Sequence, residues 1–307
     1  RLDAAKMLET SDGAEVVFVD GFVNRDNEPL PLIIRKTDGG YNYATSDLAC
    51  VIDRVERLGA TVILYIVGAP QAQHLEMVGV VSRKAGWVPE TTQMVHVAFG
   101  NVLGSDRKIL KSRSGEVVKL DALLTEAVER AKDAVRAKNP DWSDAQHSAI
   151  AKQVGIGAIK YADLSTDRIK DYVFDWERML SFDGNTSPYL QYAHARICSI
   201  FRKAGVDRAS VRGVTPLVEH EAERALVLRL LQFDTAVLDT LDKYSPHRLC
   251  TYLYDLASEF SAFYEHCPVM RAENDAQRTS RLALCDFTAR VMSQGLALLG
   301  IETPEQM

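Results

Sequence analysis

Four stretches carry residue types whose spacing could do chemistry. In Gly39-Gly40-Tyr41-Asn42-Tyr43-Ala44-Thr45-Ser46-Asp47-Leu48-Ala49 two glycines turn the chain, and Tyr43 and Asp47 stand four residues apart at a helix start. That spacing points both side chains to one side. A fixed carboxylate beside a phenol can grip a cationic planar group by charge-assisted hydrogen bonds. Equally, Asp47 could serve only the positive end of its own helix. In Ala69-Pro70-Gln71-Ala72-Gln73-His74 an amide and an imidazole follow an apolar run directly. They are either substrate contacts or solvated first-turn residues. Gly104–Gly115 is a glycine-bounded loop with Arg107, Lys108, Lys111 and Arg113 inside seven positions. Such cations suit triphosphate or pyrophosphate, or form a solvated basic turn. Asp183–Tyr192 is a polar loop that leads into a helix carrying Tyr189 and Tyr192. Those rings could stack on unpaired bases or fill a helical core.

The elements that must position these residues fall into two kinds. Up to residue 120, strand-like and helix-like segments alternate. Glu15–Asp20 and Leu32–Arg35 read as strands. Thr45–Leu58 reads as a helix, with Leu48, Ile52 and Val55 at helical spacing and Gly59 as its stop. Thr61–Val67 is almost wholly apolar and rich in β-branched residues. That pattern predicts a strand buried on both faces of a parallel sheet. Gln71–Ala85 follows as a helix and Met94–Phe99 as a strand. The alternation implies βαβ units, whose ligands sit beyond the C-terminal ends of the strands. The places to look are therefore the loops after Val67 and Phe99.

Beyond about Val117 the pattern is helical throughout. Leu120–Lys138 is amphipathic. Ser143 with Gln146 three residues later predicts a capping box. Glu221–Leu241, Leu249–Tyr264 and Ala283–Leu299 each place apolar residues on one face, as in a helix bundle. The fold class read from the chain is α/β plus all-α, divided into residues 1–120 and 121–307.

The 307 residues carry 36 Lys+Arg against 42 Asp+Glu, a net charge of −6, so any polyanion must be met by local basic surface. Five dispersed cysteines form no CxxC pair, which argues against a disulfide framework and a zinc site and suits a reducing cytoplasm. The longest strongly apolar run, Val62–Val67, is too short to span a bilayer. No membrane partner and no metal site are expected.

Taken together, these segments resemble arginyl-tRNA synthetases. The resemblance runs through Pro31–Ala49, VSRKAGWVP (81–89), HVAFGNVLG (96–104), SRSGEVVKL (112–120), VGIGAIKYADLS (154–165), FDWERMLSFDGNTSPYLQYAHAR (174–196) and FYEHCPV (263–269), in order along essentially the whole chain. It implies a class I ligase with the second half of a Rossmann-type catalytic domain, followed by a helical anticodon-binding domain. Such an enzyme joins ATP and arginine as arginyl-adenylate and passes arginine to its tRNA. The implied partners are tRNA(Arg), L-arginine and ATP, with Mg2+ accompanying the ATP and with no DNA. The resemblance assigns Tyr43, Asp47 and Gln71 to the arginine pocket. It assigns His74, His96, Phe99, Gly100 and Val102 to ATP. Ile109–Arg113 takes the place of the KMSKS signature, departing from its ideal form, so that Lys108, Lys111 and Arg113 all stand as candidates for pyrophosphate. Tyr189, Tyr192, Tyr264 and Met307 fall on anticodon-loop positions.

No HIGH-type sequence occurs among the 307 residues. The expectation is that this chain is the C-terminal portion of the enzyme, inactive in aminoacylation alone, with an open sheet that invites self-association. A stand-alone tRNA-binding module is the competing reading. A cysteinyl-type enzyme fits less well, because zinc-ligand cysteine pairs are missing.

Overall fold

The structure, a computed structural model, describes residues 1–110 and 119–307. It divides into two compact units, Arg1–Gly100 and Asn101–Met307.

The first unit opens with an antiparallel meander of β1 (Glu9–Ser11), β2 (Ala14–Val23) and β3 (Pro29–Arg35). The strand predicted at 32–35 therefore belongs to this meander and not to the parallel sheet. Helix α1 (Tyr43–Ile52) follows and loosens into a wider turn over Asp53–Arg57. Asn42 caps α1 by accepting from the Ala44 N–H. The parallel pair is β4 (Val62–Tyr65) and β5 (Gln93–His96), joined through α2 (Ala72–Lys84). Leu48 and Val51 of α1, Met77, Val78 and Val81 of α2, and Val17, Leu32 and Ile34 of the meander make one buried cluster.

One expectation fails here. β4 is not buried on both faces: Ile63 is 5% exposed, whereas Val62, Leu64 and Ile66 are 47, 43 and 66% exposed. Alternate residues of a strand point to opposite faces. Within the described residues only the face bearing Ile63 is covered, and only β5 pairs with β4.

The second unit begins with a short parallel pair, β6 (Val102–Leu103) and β7 (Tyr172–Val173). The rest is helical: α3 (Leu120–Lys138), α4 (Asp144–Leu164), α5 (Trp176–Met179), α6 (Ser187–Ala204), α7 (Glu221–Leu230), α8 (Phe233–Lys243), α9 (His247–His266) and α10 (Asp275–Leu298). The capping box expected at Ser143 and Gln146 forms, with both reciprocal bonds present. α3 and α4 cross closely because Gly155 has no side chain: a Cβ there would stand 2.6 Å from the Ala127 carbonyl oxygen.

The single helix expected over Glu221–Leu241 is two helices. Gln232 bonds to Arg229 three residues back, and the Arg229 carbonyl also accepts the Tyr252 hydroxyl at 3.0 Å. A side chain inserted at that carbonyl bends the ladder. Leu253, Leu256, Phe260 and Phe263 of α9, with Leu284 and Met292 of α10 and Leu190 and Ile197 of α6, form the fully buried core. Each such side chain contributes about 1.5–3 kcal/mol by leaving water.

Candidate functional site

In the first unit, parallel strands end together where the chain carries its polar residues. Tyr65 of β4 stands in register with His96 of β5, and the two exits stay linked, Gly68 bridging to Phe99 and Ala69 N–H donating to the Phe99 carbonyl at 3.2 Å. The His96 imidazole Nε2 lies 3.1 Å from the Val67 carbonyl. Gly68 and Pro70 turn the chain into α2, so that Gln71 stands exposed at its N-cap.

His74, on the first turn of α2, reaches α1: its Nε2 is 2.6 Å from Asp47 Oδ2, with the two side chains 31 and 35% exposed. The Asp47 carboxylate also adds to the rise of the Tyr65 phenol above its ordinary range, a rise caused chiefly by burial and opposed by the Arg54 guanidinium. Asp47, His74 and Tyr65 are thus neighbours. Tyr43, one turn before Asp47, is 85% exposed. Phe99 is 46% exposed. The pairing of Asp47 with His74 is the contact that the chain order hides, since 27 residues separate them. Among the residues assigned to ATP, His74, His96, Phe99 and Gly100 belong to this unit; Val102 belongs to the second, where it pairs with Tyr172.

The basic loop is described only as far as Leu110. Gly104 N–H donates to the Lys108 carbonyl at 2.8 Å, and Lys108 N–H donates to Asp106 Oδ1 at 3.1 Å, which leaves an exposed tight turn with Arg107 at positive φ. Lys111 and Arg113 lie outside the described residues.

The second unit contains a cavity of about 560 Å³ lined by Trp142, Tyr192, Arg196, Lys203, Tyr264 and Met307, among others. Thr186 caps α6 by accepting from the Tyr189 N–H at 3.2 Å, and one turn later Tyr192 faces the cavity. Arg196, four residues on, lies 4.9 Å from the Tyr192 ring centre and 5.5 Å from that of Tyr264. Lys138, at the end of α3, sits 3.3 Å from the Phe182 ring centre and 5.0 Å from Tyr192. These cations hold the Tyr192 phenol below its usual range, chiefly through a hydrogen bond from Arg196.

The C-terminal segment is tied to α6. Gln191 donates to the Glu302 carbonyl at 2.8 Å, the His194 Nδ1 lies 3.0 Å from the Pro304 carbonyl, and Arg202 donates to the Glu305 carbonyl at 3.0 Å. Burial lowers the His194 pKa, and a neutral ring still donates to that carbonyl. These ties place Met307 at the cavity. Tyr189 goes elsewhere: it packs on Tyr254, with its hydroxyl 3.4 Å from Ser261 Oγ, against the core. Lys138, Arg196 and Lys203 were not singled out from the sequence; the one available signal was the i, i+4 spacing of Tyr192 and Arg196.

Such an arrangement can do two things. A half-buried carboxylate can receive a cation, and aromatic faces among cations can receive unpaired bases and their phosphates.

Comparison with known proteins bears on the family of the chain. The family model described as tRNA synthetases class I (R), catalytic domain, matches residues 1–176, and the DALR anticodon binding domain model matches residues 190–307. An arginine–tRNA ligase of Thermobifida fusca is 56% identical over 97% of this chain, which spans 51% of that relative. The chain thus spans about half the length of the curated relatives it matches. The crystal structure of arginyl-tRNA synthetase from Plasmodium falciparum matches with a TM-score of 0.85 at 30% identity, over all of this chain and 51% of that one. The Thermus thermophilus arginyl-tRNA synthetase matches with a TM-score of 0.84 at 28% identity, over all of this chain and 57% of that one.

Proposed function

Because the chain belongs to the class I tRNA synthetases of the arginine type, with a catalytic and a DALR domain, we propose that the protein is an arginine–tRNA ligase of the cytoplasm. The arginine carboxylate attacks the α-phosphorus of ATP, the bond to pyrophosphate breaks, and arginyl-adenylate forms. A ribose hydroxyl at the 3′ end of tRNA(Arg) then attacks the arginyl carbonyl and AMP leaves. The observation that carries this reading is the half-buried Asp47 carboxylate of α1, held by His74 on the first turn of the helix that follows β4.

Asp47 pairs with the substrate guanidinium, and Tyr43 and Gln71 complete the polar shell. A site built to satisfy a guanidinium leaves buried groups unpaired when lysine enters, which can reject analogues by factors on the order of 10⁴. Of the residues that the resemblance assigns to ATP, His96, Phe99, Gly100 and Val102 serve the ATP side, while His74 is engaged with Asp47. Lys108, Lys111 and Arg113 meet the charge that grows on the departing pyrophosphate. Mg2+ arrives with the triphosphate. Among the described residues no group of three His, Cys, Asp or Glu side chains gathers to hold an ion, so no protein ligand is assigned to it.

Residues 121–307 supply the tRNA contact. Tyr192, Tyr264 and Met307 line the cationic cavity and receive anticodon bases, while Tyr189 supports them from the core side. Five free cysteines suit a reducing compartment. No helix among the described residues is long and apolar enough to cross a membrane.

Asp47→Asn in the intact protein is the direct test. It removes the charge with little change in shape and is expected to raise the arginine KM on the order of 100-fold, the loss of a charged hydrogen bond. An arginine KM within twofold of the parent would take Asp47 out of the pocket.

A further inference from the structure

We infer that His74 is a positioning and specificity residue of the arginine pocket, orienting the Asp47 carboxylate for a planar cation. The inference rests on the reading of Asp47 as the guanidinium partner. Asp47 lies in the middle of α1 and His74 on the first turn of α2, so the 2.6 Å contact between Nε2 and Oδ2 ties two helices together beside the strand ends. Among the described residues, His74 is the sole side chain within ion-pair distance of Asp47, and Oδ1 has no hydrogen-bond partner. One oxygen is therefore held and the other is open.

The chemistry follows from that asymmetry. An imidazole Nε2–H held against Oδ2 fixes the plane of the carboxylate and leaves Oδ1 facing outward to a substrate. Arginine's guanidinium is a planar fork that rewards a fixed carboxylate plane, whereas lysine's ammonium is a compact point charge that does not. A carboxylate free to rotate loses that distinction and, with it, preorganisation for the proper substrate. The residue acts through Asp47 and forms no bond to the reacting atoms.

The test compares His74→Leu, His74→Gln, Asp47→Asn and the double variant D47N/H74L in the intact protein, by arginine-dependent exchange of pyrophosphate into ATP. His74→Leu is expected to raise the arginine KM about tenfold, to leave the ATP KM within twofold, and to improve lysine relative to arginine as a competitor. His74→Gln keeps an N–H donor of similar reach and is expected to recover most of the loss, which a merely space-filling role would not show. In the Asp47→Asn background the Leu substitution is expected to add nothing further. A raised ATP KM with unchanged arginine KM would assign His74 to the nucleotide and overturn the inference, as would equal losses in the Leu and Gln variants. Should Asp47→Asn itself leave the arginine KM unchanged, the underlying reading fails; should it raise KM while His74→Leu does not, only the inference does.

Discussion

Strand β4 and helix α9 are built from similar apolar letters, yet they meet opposite fates. On α9, Leu253, Leu256, Phe260 and Phe263 are each 0% exposed. On β4, every second residue remains open. The helical unit buries a core between α6, α9 and α10, and α6 and α9 also supply Tyr192, Arg196 and Tyr264 to the cavity. Among the described residues the α/β unit leaves one face of β4 apolar and uncovered, and Asp47 and His74 pair between α1 and α2.

The sharpest attack on that comparison is at the buried ion pair of the helical unit. Glu223 is 1% exposed; it accepts Arg281 Nε at 2.8 Å and the N–H groups of Glu219 and His220 at 2.8 and 3.0 Å. Burial works to raise its pKa, but Arg281 and the backbone donors outweigh that and hold it below the ordinary value of 4.5. Arg281→Met strands the carboxylate and should cost about 3–5 kcal/mol, read as a fall in the midpoint of urea unfolding followed by circular dichroism.

The pH dependence gives a second readout. In the parent a depressed carboxylate contributes stability above pH 4.5, which is lost as pH falls through its lower folded value. In the variant the carboxylate loses Arg281 and keeps only the backbone donors against burial, so its folded pKa should rise and the penalty should shrink as pH falls towards 4.5. A variant whose deficit stays constant between pH 7 and 4.5 would contradict this account.

A smaller effect probes the crossing of α3 and α4. A Cβ at Gly155 would lie 2.6 Å from the Ala127 carbonyl oxygen and 2.8 Å from the Val128 nitrogen, both backbone atoms that cannot swing aside. Gly155→Ala gains about 1 kcal/mol of helix propensity, and overpacking costs about 1–3 kcal/mol. The net expectation is a loss of up to about 2 kcal/mol. A stabilised variant in thermal unfolding would show that the crossing can open and that the unit is less rigid than the buried core suggests.

What could be read in the sequence divides along the same line. Helix α3 lies where its amphipathic period placed it, and the Ser143–Gln146 box formed, because caps and periods are local. The break between α7 and α8 was hidden, since its cause is the Tyr252 hydroxyl arriving from α9. For β4 the run of branched residues announced a strand, but what covers each face depends on other segments. At the site, Tyr43, Asp47 and Gln71 were visible as types and as a resemblance, whereas the bond from His74 to Asp47 joins residues whose proximity only the fold creates. The cations around Tyr192 sat unnoticed as ordinary charges on helix surfaces, since each looks solvated until α3 and α6 meet.

The mildest expected effect is also the most direct measure of the open face. Leu64 is 43% exposed, while its neighbour Ile63 is 5% exposed. Thr has good strand propensity, so Leu64→Thr should leave stability within about 0.5 kcal/mol of the parent, the usual range for surface substitutions. The amides of Val62–Tyr65 should then exchange hydrogen for deuterium at unchanged rates. Ile63→Ala serves as the contrast: it empties a buried position, at a cost of about 2 kcal/mol or more, and should speed exchange in the same amides. If Leu64→Thr speeds exchange as much as Ile63→Ala does, the outer face of β4 is covered in solution, and the contrast between the closed helical unit and the open strand disappears.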